Sequence, residues 1–151
     1  MKGITDLAAG TAAEHLVAAD LLLKGYNAFL ADQCCAYDVA VDIQGKLVRL
    51  QVKATRYPKP IPNNPNARPA YMWHVRRSGK GGARVYGSND FDLLALVALD
   101  TQQIAYLPPS AQAQTIHIRN HEDAAPHAHG GKGGKTFSQF TFDKAVAEVI
   151  A

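Results

Sequence analysis

Two alternating stretches joined by a two-residue turn constrain this chain most. Residues 37–43 place Tyr37, Val39, Val41 and Ile43 on one side and Asp38, Ala40 and Asp42 on the other. Gln44-Gly45 follows, and residues 46–55 then oppose Val48, Leu50, Val52 and Ala54 to Leu47, Arg49, Gln51 and Lys53. A period of two means strands, and so short a link makes them an antiparallel hairpin. A hairpin cannot stand alone, so the rest of the chain must cover it. Residues 5–24 offer a helix, with Leu7, Ala8, Ala12, Leu16, Ala19 and Leu23 at three- and four-residue spacing and Gly25 as its stop. Residues 26–31 predict a first strand, and the almost unbroken apolar run 91–99 predicts a strand buried on both faces. Further strands are expected over 71–77, 104–107, 115–119 (an edge strand) and 137–142, with a closing helix over 144–151. Helix, hairpin and later strands make an α/β or α+β chain, and 151 residues suit a single domain over 1–151.

Two segments interrupt this pattern. Pro58, Pro60, Pro62, Pro65 and Pro69 exclude regular structure from an Asn-rich loop over 58–69. Residues 121–135 form a Gly- and His-rich loop. Charge is distributed unevenly. No acidic residue lies between Asp42 and Asp90, whereas ten of the sixteen Lys and Arg residues do. That segment carries +10 against a net charge of +3, leaving −7 elsewhere. Solvated surfaces mix both signs, so a block of one sign points to a polyanion, whose phosphates reward clustered cations through counterion release. No basic amphipathic helix accompanies the block, which favours nucleic acid over an anionic membrane. No apolar run reaches membrane-spanning length, and no signal-peptide core follows Met1. The only cysteines, Cys34 and Cys35, are adjacent, which excludes a disulfide framework and favours a cytoplasmic setting.

Chemistry gathers on the hairpin. Asp38 lies on the first strand, while Gln51 and Lys53, two apart, share a face of the second. With Asp38 on that face, a carboxylate, an amide oxygen and an ammonium converge. Phosphodiester hydrolysis uses such a set: oxygen ligands for a hard cation, and a lysine that orients water and offsets developing charge. Taken singly, Glu14 reads as an exposed helix residue, Gln51 as a plain strand residue and Lys53 as one more phosphate contact. Other signals carry less. Gly134-Lys135-Thr136 lacks the glycine and the upstream strand of a phosphate-binding loop. His117, His121, His127 and His129 are of a type that binds transition metals, but His127 and His129 lie in a Gly-rich loop with no cysteine partner and no helix to hold them, which favours a solvated loop.

Glu14 on a helix, Asp38 on a strand and Gln51-Val52-Lys53 on the next strand resemble the PD-(D/E)xK nuclease superfamily in order and spacing. Gly10-Thr11-Ala12-Ala13-Glu14, Leu50-Gln51-Val52-Lys53-Ala54-Thr55 and the second-half runs 91–97 and 104–108 are similar to its group I intron homing endonuclease branch, which tolerates Gln in place of the second acid. Tyr37 stands where the motif has Pro. The resemblance implies a restriction endonuclease-like αβββαβ core with a mixed central sheet. It implies a metal-dependent endonuclease acting on double-stranded DNA in homing, restriction or repair. Mg2+, with Mn2+ as substitute, would be held by Asp38, the Val52 carbonyl and Glu14, with Gln51 as ligand or water-orienting amide and Lys53 beside the attacking water. Arg56, Lys59, Arg68, Arg76, Arg77, Lys80 and Arg84 would track the duplex, and a double-strand cutter would be a homo-oligomer, a dimer or tetramer. Two other classes stay open: a DNA-binding protein that does not cut, and a nuclease-fold accessory subunit.

If the basic block meets DNA, replacing Arg76, Arg77, Lys80 and Arg84 with Ser weakens binding equally across sequences. Each lost phosphate contact lowers the slope of log affinity against log salt by about one unit. A titration of duplex DNA at several salt concentrations measures this, and an unchanged slope places the block away from DNA.

Overall fold

In the computed structural model, which describes residues 1–75, 77–79, 82–84, 90–109, 115–120 and 134–151, the hairpin forms as the alternation dictates. Its strands are β2 (Val39–Ile43) and β3 (Lys46–Thr55), paired from Val39 opposite Leu50 to Ile43 opposite Lys46. Gln44 and Gly45 both have positive φ, 52° and 83°, as a type I′ turn requires, and the Asp42 carboxylate accepts the Gly45 N–H at 2.8 Å. β1 (Asn27–Leu30) pairs antiparallel with the other edge of β2. β3 then pairs in parallel with β7 (Leu93–Ala98), and β8 (Gln103–Leu107) closes the sheet antiparallel to β7. The result is a mixed five-stranded sheet in the order β1-β2-β3-β7-β8, the α/β class expected.

A parallel pair needs a long crossover. Where the αβββαβ plan has a second helix, the described residues between β3 and β7 carry strands: β4 (Tyr71–His74), β5 (Arg77–Gly79) and β6 (Gly82–Arg84). β5 and β6 pair as a small antiparallel hairpin in the basic segment, where the sequence suggests only a loop. β4 pairs with β9 (Thr115–Ile118) as a separate two-stranded ribbon, so the strand expected over 71–77 stops at His74.

Two cores lie on the two faces of the sheet. On one, Val39, Val41, Val48, Leu50, Leu93, Ala95 and Val97 pack with α1 (Asp6–Leu23) and α2 (Phe142–Ile150). On the other, Leu94, Leu96 and Ala98 meet Tyr71, Trp73, Ile116, Ile118 and Phe137. The Trp73 indole N–H reaches the Val97 carbonyl at 3.2 Å, so burying this large ring leaves no orphan donor. β7, sandwiched between both cores, is buried at every position, which explains its unbroken apolar run.

The first helix is where the sequence predicts it, but its buried stripe differs. Ala9, Ala13, Val17, Ala18 and Leu21 face the sheet, whereas Leu7 and Leu23 are 82% and 89% exposed. Apolar residues fall on every side of this helix, so spacing alone cannot select a face. Small Ala9 and Ala13 let the backbone approach the sheet. Thr5 caps the start by accepting the Ala8 N–H at 3.1 Å. Gly25, at φ 88°, ends the helix with paired bonds from Tyr26 N–H to the Leu21 carbonyl and Gly25 N–H to the Leu22 carbonyl. The strand expected over 137–142 is instead a turn of 3-10 helix, Phe137–Gln139. Phe137 plugs the second core and Phe142 the first, so the segment turns between two anchors rather than extending. No helix among the described residues is long and apolar enough to cross a membrane.

Gly10 sits mid-helix, where glycine costs about 0.5–1 kcal/mol relative to alanine. A Cβ there would meet nothing within 4 Å. Gly10→Ala therefore raises the melting temperature by about 1–4 °C in a calorimetric scan. A drop would mean the helix is more tightly packed at this point than the structure shows.

Candidate active site

β3 continues from Gln51 to Thr55 past the end of its ladder with β2 at Leu50, and the site forms in that gap. The chain bends at Asp38, immediately before β2. The Asp38 N–H goes to the Leu50 carbonyl on β3 at 2.9 Å, while its carbonyl accepts the Ala31 N–H at 2.9 Å. A residue in regular strand turns both groups to one neighbour, so this split re-aims the side chain. Oδ2 of Asp38 accepts the Val52 N–H at 2.7 Å and the Gln51 Nε2 at 2.6 Å. The strand therefore begins at Val39 rather than at Tyr37, and Asp38 serves as a hook from the bend onto β3.

Gln51 completes this arrangement because an ionised carboxylate only accepts hydrogen bonds. The amide nitrogen must face Asp38, which leaves Oε1 as a free-standing acceptor type. A glutamate at this position would set two carboxylates side by side. Val52 donates its N–H away from β7, and strand geometry turns its carbonyl to the same side, toward the bend. Lys53 follows on the Gln51 face, half-buried, and its charge lowers the Asp38 pKa.

Burial nonetheless dominates Asp38 and pushes its pKa above the usual carboxylate value, against the opposing pull of the Val52 N–H and Lys53. Glu14, on α1, is also raised, first by burial and then by the Asp38 charge, with His15 partly offsetting both. Glu14, Asp38, Gln51 and Lys53 are thus brought into one neighbourhood from a helix, a bend and a strand. Two carboxylates whose ionisation burial disfavours, with an amide oxygen and a main-chain carbonyl nearby, form a hard-oxygen donor set that suits a divalent cation such as Mg2+. Among the described residues no cluster of three His, Cys, Asp or Glu gathers, so the remaining ligands would be the amide, the carbonyl and water.

A cleft of about 820 Å³ opens beside this set. Val52 and Lys53 line it, while Glu14, Asp38 and Gln51 stand outside its walls. Asp6 and Gly10 of α1 form one side, Thr55, Arg56, Tyr57 and Lys59 the floor beyond β3, and Met72, Trp73 and His74 of β4 the other side. Tyr57, His74 and Gly10 gave no signal in the sequence as cleft residues, because the crossover that brings β4 beside β3 leaves no local pattern. Arg56 lines the cleft but is committed to the amino-terminal segment, donating to Asp6 at 2.8 Å and to the Ile4 carbonyl at 2.9 Å. Lys59 and Arg68 are exposed, with Lys59 bridged to Ala70 at the foot of β4. Arg77 and Arg84 pair across the β5–β6 hairpin, and Arg76 and Lys80 lie outside the described residues, as do His121, His127 and His129.

The arrangement agrees with what the chain resembles. No curated protein matches the sequence. Among solved structures, a bacterial homing endonuclease, I-Ssp6803I, superposes with a TM-score of 0.66 at 17% identity, over 82% of this chain and 84% of that one, which establishes a shared fold. Residues 5–140 match the family model described as PD-(D/E)XK endonuclease, a span that contains Glu14, Asp38, Gln51, Lys53 and the whole central sheet. By that match the chain belongs to the PD-(D/E)XK endonuclease family.

Proposed function

We propose that this nuclease is a metal-dependent endonuclease of double-stranded DNA, with Asp38, Glu14, Gln51 and Lys53 as its site. The observation that carries this reading is the Asp38 carboxylate, fixed by Val52 and Gln51 within the electrostatic reach of Glu14 and Lys53, at the rim of a basic cleft. Asp38, Glu14 and the Val52 carbonyl would hold Mg2+ or Mn2+, with Gln51 Oε1 as a further ligand or a water-orienting group. When bound, the cation polarises the scissile phosphate and helps deprotonate water.

The chain's own residues do the remaining work. Lys53 places an ammonium where negative charge grows on the phosphate, and donates to or orients the attacking water. Gln51 holds Asp38 in one rotamer, so the carboxylate is already aimed before substrate arrives. Lys59 and Arg68, with the basic β5–β6 segment and its Arg76, Arg77, Lys80 and Arg84, hold the duplex by its phosphates, and Arg56 joins them where it lines the cleft. One such site cuts one strand, so a double-strand break calls for a homo-oligomer, a dimer or tetramer, acting in the cytoplasm. A DNA-binding protein without cleavage is the second reading, favoured by the amide at Gln51 in place of an acid.

Asp38→Asn and Lys53→Ala each lower nicking of supercoiled plasmid in Mg2+ by about a hundredfold or more, with duplex binding retained. An ordinary nicking rate in Asp38→Asn would move the site elsewhere, and no nicking by the unaltered protein in either metal would favour the second reading. The same variant reports on stability. The folded-state pKa of Asp38 is raised, so this group's contribution is full at low pH and is lost as pH rises through that raised value. At neutral pH without metal, Asp38→Asn therefore melts higher than the unaltered protein, and the gap narrows on acidification.

Gln51→Glu replaces a donor to Asp38 with a second anion. The variant is expected to melt lower than the unaltered protein without metal and to bind Mn2+ more tightly in calorimetric titration. Its affinity should decline on acidification at a higher pH than ordinary carboxylates would give, because Asp38 and Glu14 hold their protons longer. Unchanged affinity would show that Gln51 does not reach the cation.

A further inference from the structure

The β4–β9 ribbon has two unlike faces. Tyr71, Trp73, Ile116 and Ile118 point inward and are buried in the second core, which fixes the ribbon rigidly on the sheet. Met72 opposite His117 and His74 opposite Thr115 make the outward face. His74 and Thr115 are exposed, and Met72 and His117 half-buried. We propose that this outward face reads base edges in a groove of DNA and sets the sequence preference of the cut. The inference rests on the endonuclease reading and adds to it a surface distinct from the phosphate contacts.

Position comes first. Met72, Trp73 and His74 line the same cleft as Lys53, so the ribbon rises directly from the wall beside the reacting centre. A strand in which Lys53 met the scissile phosphate would carry its neighbouring base pairs past this face. Size agrees. Four residues per strand span about 13 Å, and a two-stranded ribbon fits a major groove roughly 12 Å wide. At about 3.4 Å per base pair, that length covers three to four pairs.

The chemistry of the face also suits bases rather than phosphates. It carries no lysine and no carboxylate. Thr115 offers a donor and an acceptor, and its hydroxyl meets His74 Nδ1 at 3.2 Å. Burial, then the charges of Arg119 and His74, push the His117 pKa below its ordinary value, so at neutral pH its ring presents one donor and one acceptor. The Met72 thioether offers apolar contact of the sort a thymine methyl takes. The cations stand at the ribbon's foot instead: Lys59 bridged to Ala70, and Arg119 with its Nε donating to the Arg68 carbonyl at 3.3 Å. Cations at the base and neutral hydrogen-bonding groups on the face separate positioning from readout. The long segment without an acidic residue, from Asp42 to Asp90, contains all of β4, so nothing on that strand repels a polyanion.

The test selects duplexes of 30 base pairs with a randomised centre on the unaltered protein, on Thr115→Ala/His117→Ala and on His117→Gln, without divalent metal. The unaltered protein is expected to enrich a short motif. The double variant should lose preference at one or two adjacent positions by about five- to a hundredfold, keep its salt slope, and still nick non-selected supercoiled plasmid in Mg2+. His117→Gln, which keeps a neutral donor and acceptor, should change the preferred base rather than erase it. The same motif from all three proteins would overturn the inference. So would an equal loss of affinity for every sequence with a lower salt slope, which marks a phosphate contact. An unaltered protein that cuts DNA without any preference overturns the ribbon's role alone. One that neither binds nor cuts DNA removes the endonuclease reading, and this inference with it.

Discussion

The parallel pairing of β3 with β7 is the constraint from which the rest of the structure follows. Leu50 to Thr55 on one strand meet Leu93 to Ala98 on the other, and parallel neighbours cannot be joined by a tight turn. The chain must leave the sheet after Thr55 and return before Leu93. On that excursion it builds β4, which docks Tyr71 and Trp73 on the outer side of β7 and creates the second core. The join at the start of the pair is locked by Arg49 and Asp92. The Asp92 N–H donates to the Arg49 carbonyl at 2.8 Å, the Asp92 carboxylate accepts the Arg49 N–H at 2.8 Å, and the guanidinium adds bonds to that carboxylate at 3.0 and 3.1 Å. Burial raises the Asp92 pKa, but the hydrogen bonds and charge of Arg49 outweigh it and hold the carboxyl below its usual range. Such a bidentate pair fixes register as well as adding energy.

The same pairing exposes the edge where the candidate site forms. β3 is longer than its partner β2, so its last residues have β7 on one side and an open edge on the other. Asp38 bends into that gap and substitutes a carboxylate for the missing strand. The Val52 N–H is thereby satisfied without water, and among the described residues no buried side-chain donor or acceptor is left unpaired. Asp38 carries a cost nonetheless, since burial works against its charge. A raised carboxylate pKa of this kind is a functional-site signal, and under the proposed function a bound cation would supply the relief that neighbouring groups supply only in part.

The cleft extends that logic beyond Asp38. Its two sides belong to opposite faces of the sheet, α1 on one and β4 on the other, and they meet only because β3 runs out between them. Gly10 leaves the helix side low, and Arg56 ties the cleft to the amino-terminal segment through Asp6 and the Ile4 carbonyl. The ribbon side is stiff because alternate residues are buried aromatics and branched aliphatics. A rigid wall next to a charged floor can separate recognition of sequence from attachment to the backbone.

By itself the sequence determined the hairpin, its turn, the long helix, the doubly buried strand and the order Glu14, Asp38, Gln51, Lys53. Each of these is local: a period of two, a turn pair, a glycine stop, an unbroken apolar run, residues two apart on one face. Features that depend on distant partners were not legible. The buried face of α1 is not legible from spacing because apolar residues fall on every side of that helix, and the sheet, not the helix, chooses Ala9 and Ala13. The segment from Phe137 to Phe142 reads as a strand because its three phenylalanines look alike in sequence, while the structure sends Phe137 and Phe140 to one core and Phe142 to the other. Only the tertiary structure put Glu14 near Asp38, turned Asp38 onto Val52, and set Tyr57 and His74 beside Lys53, because each of those meetings is made by the β3–β7 crossover or by packing across the sheet, and neither leaves a periodic trace in the chain.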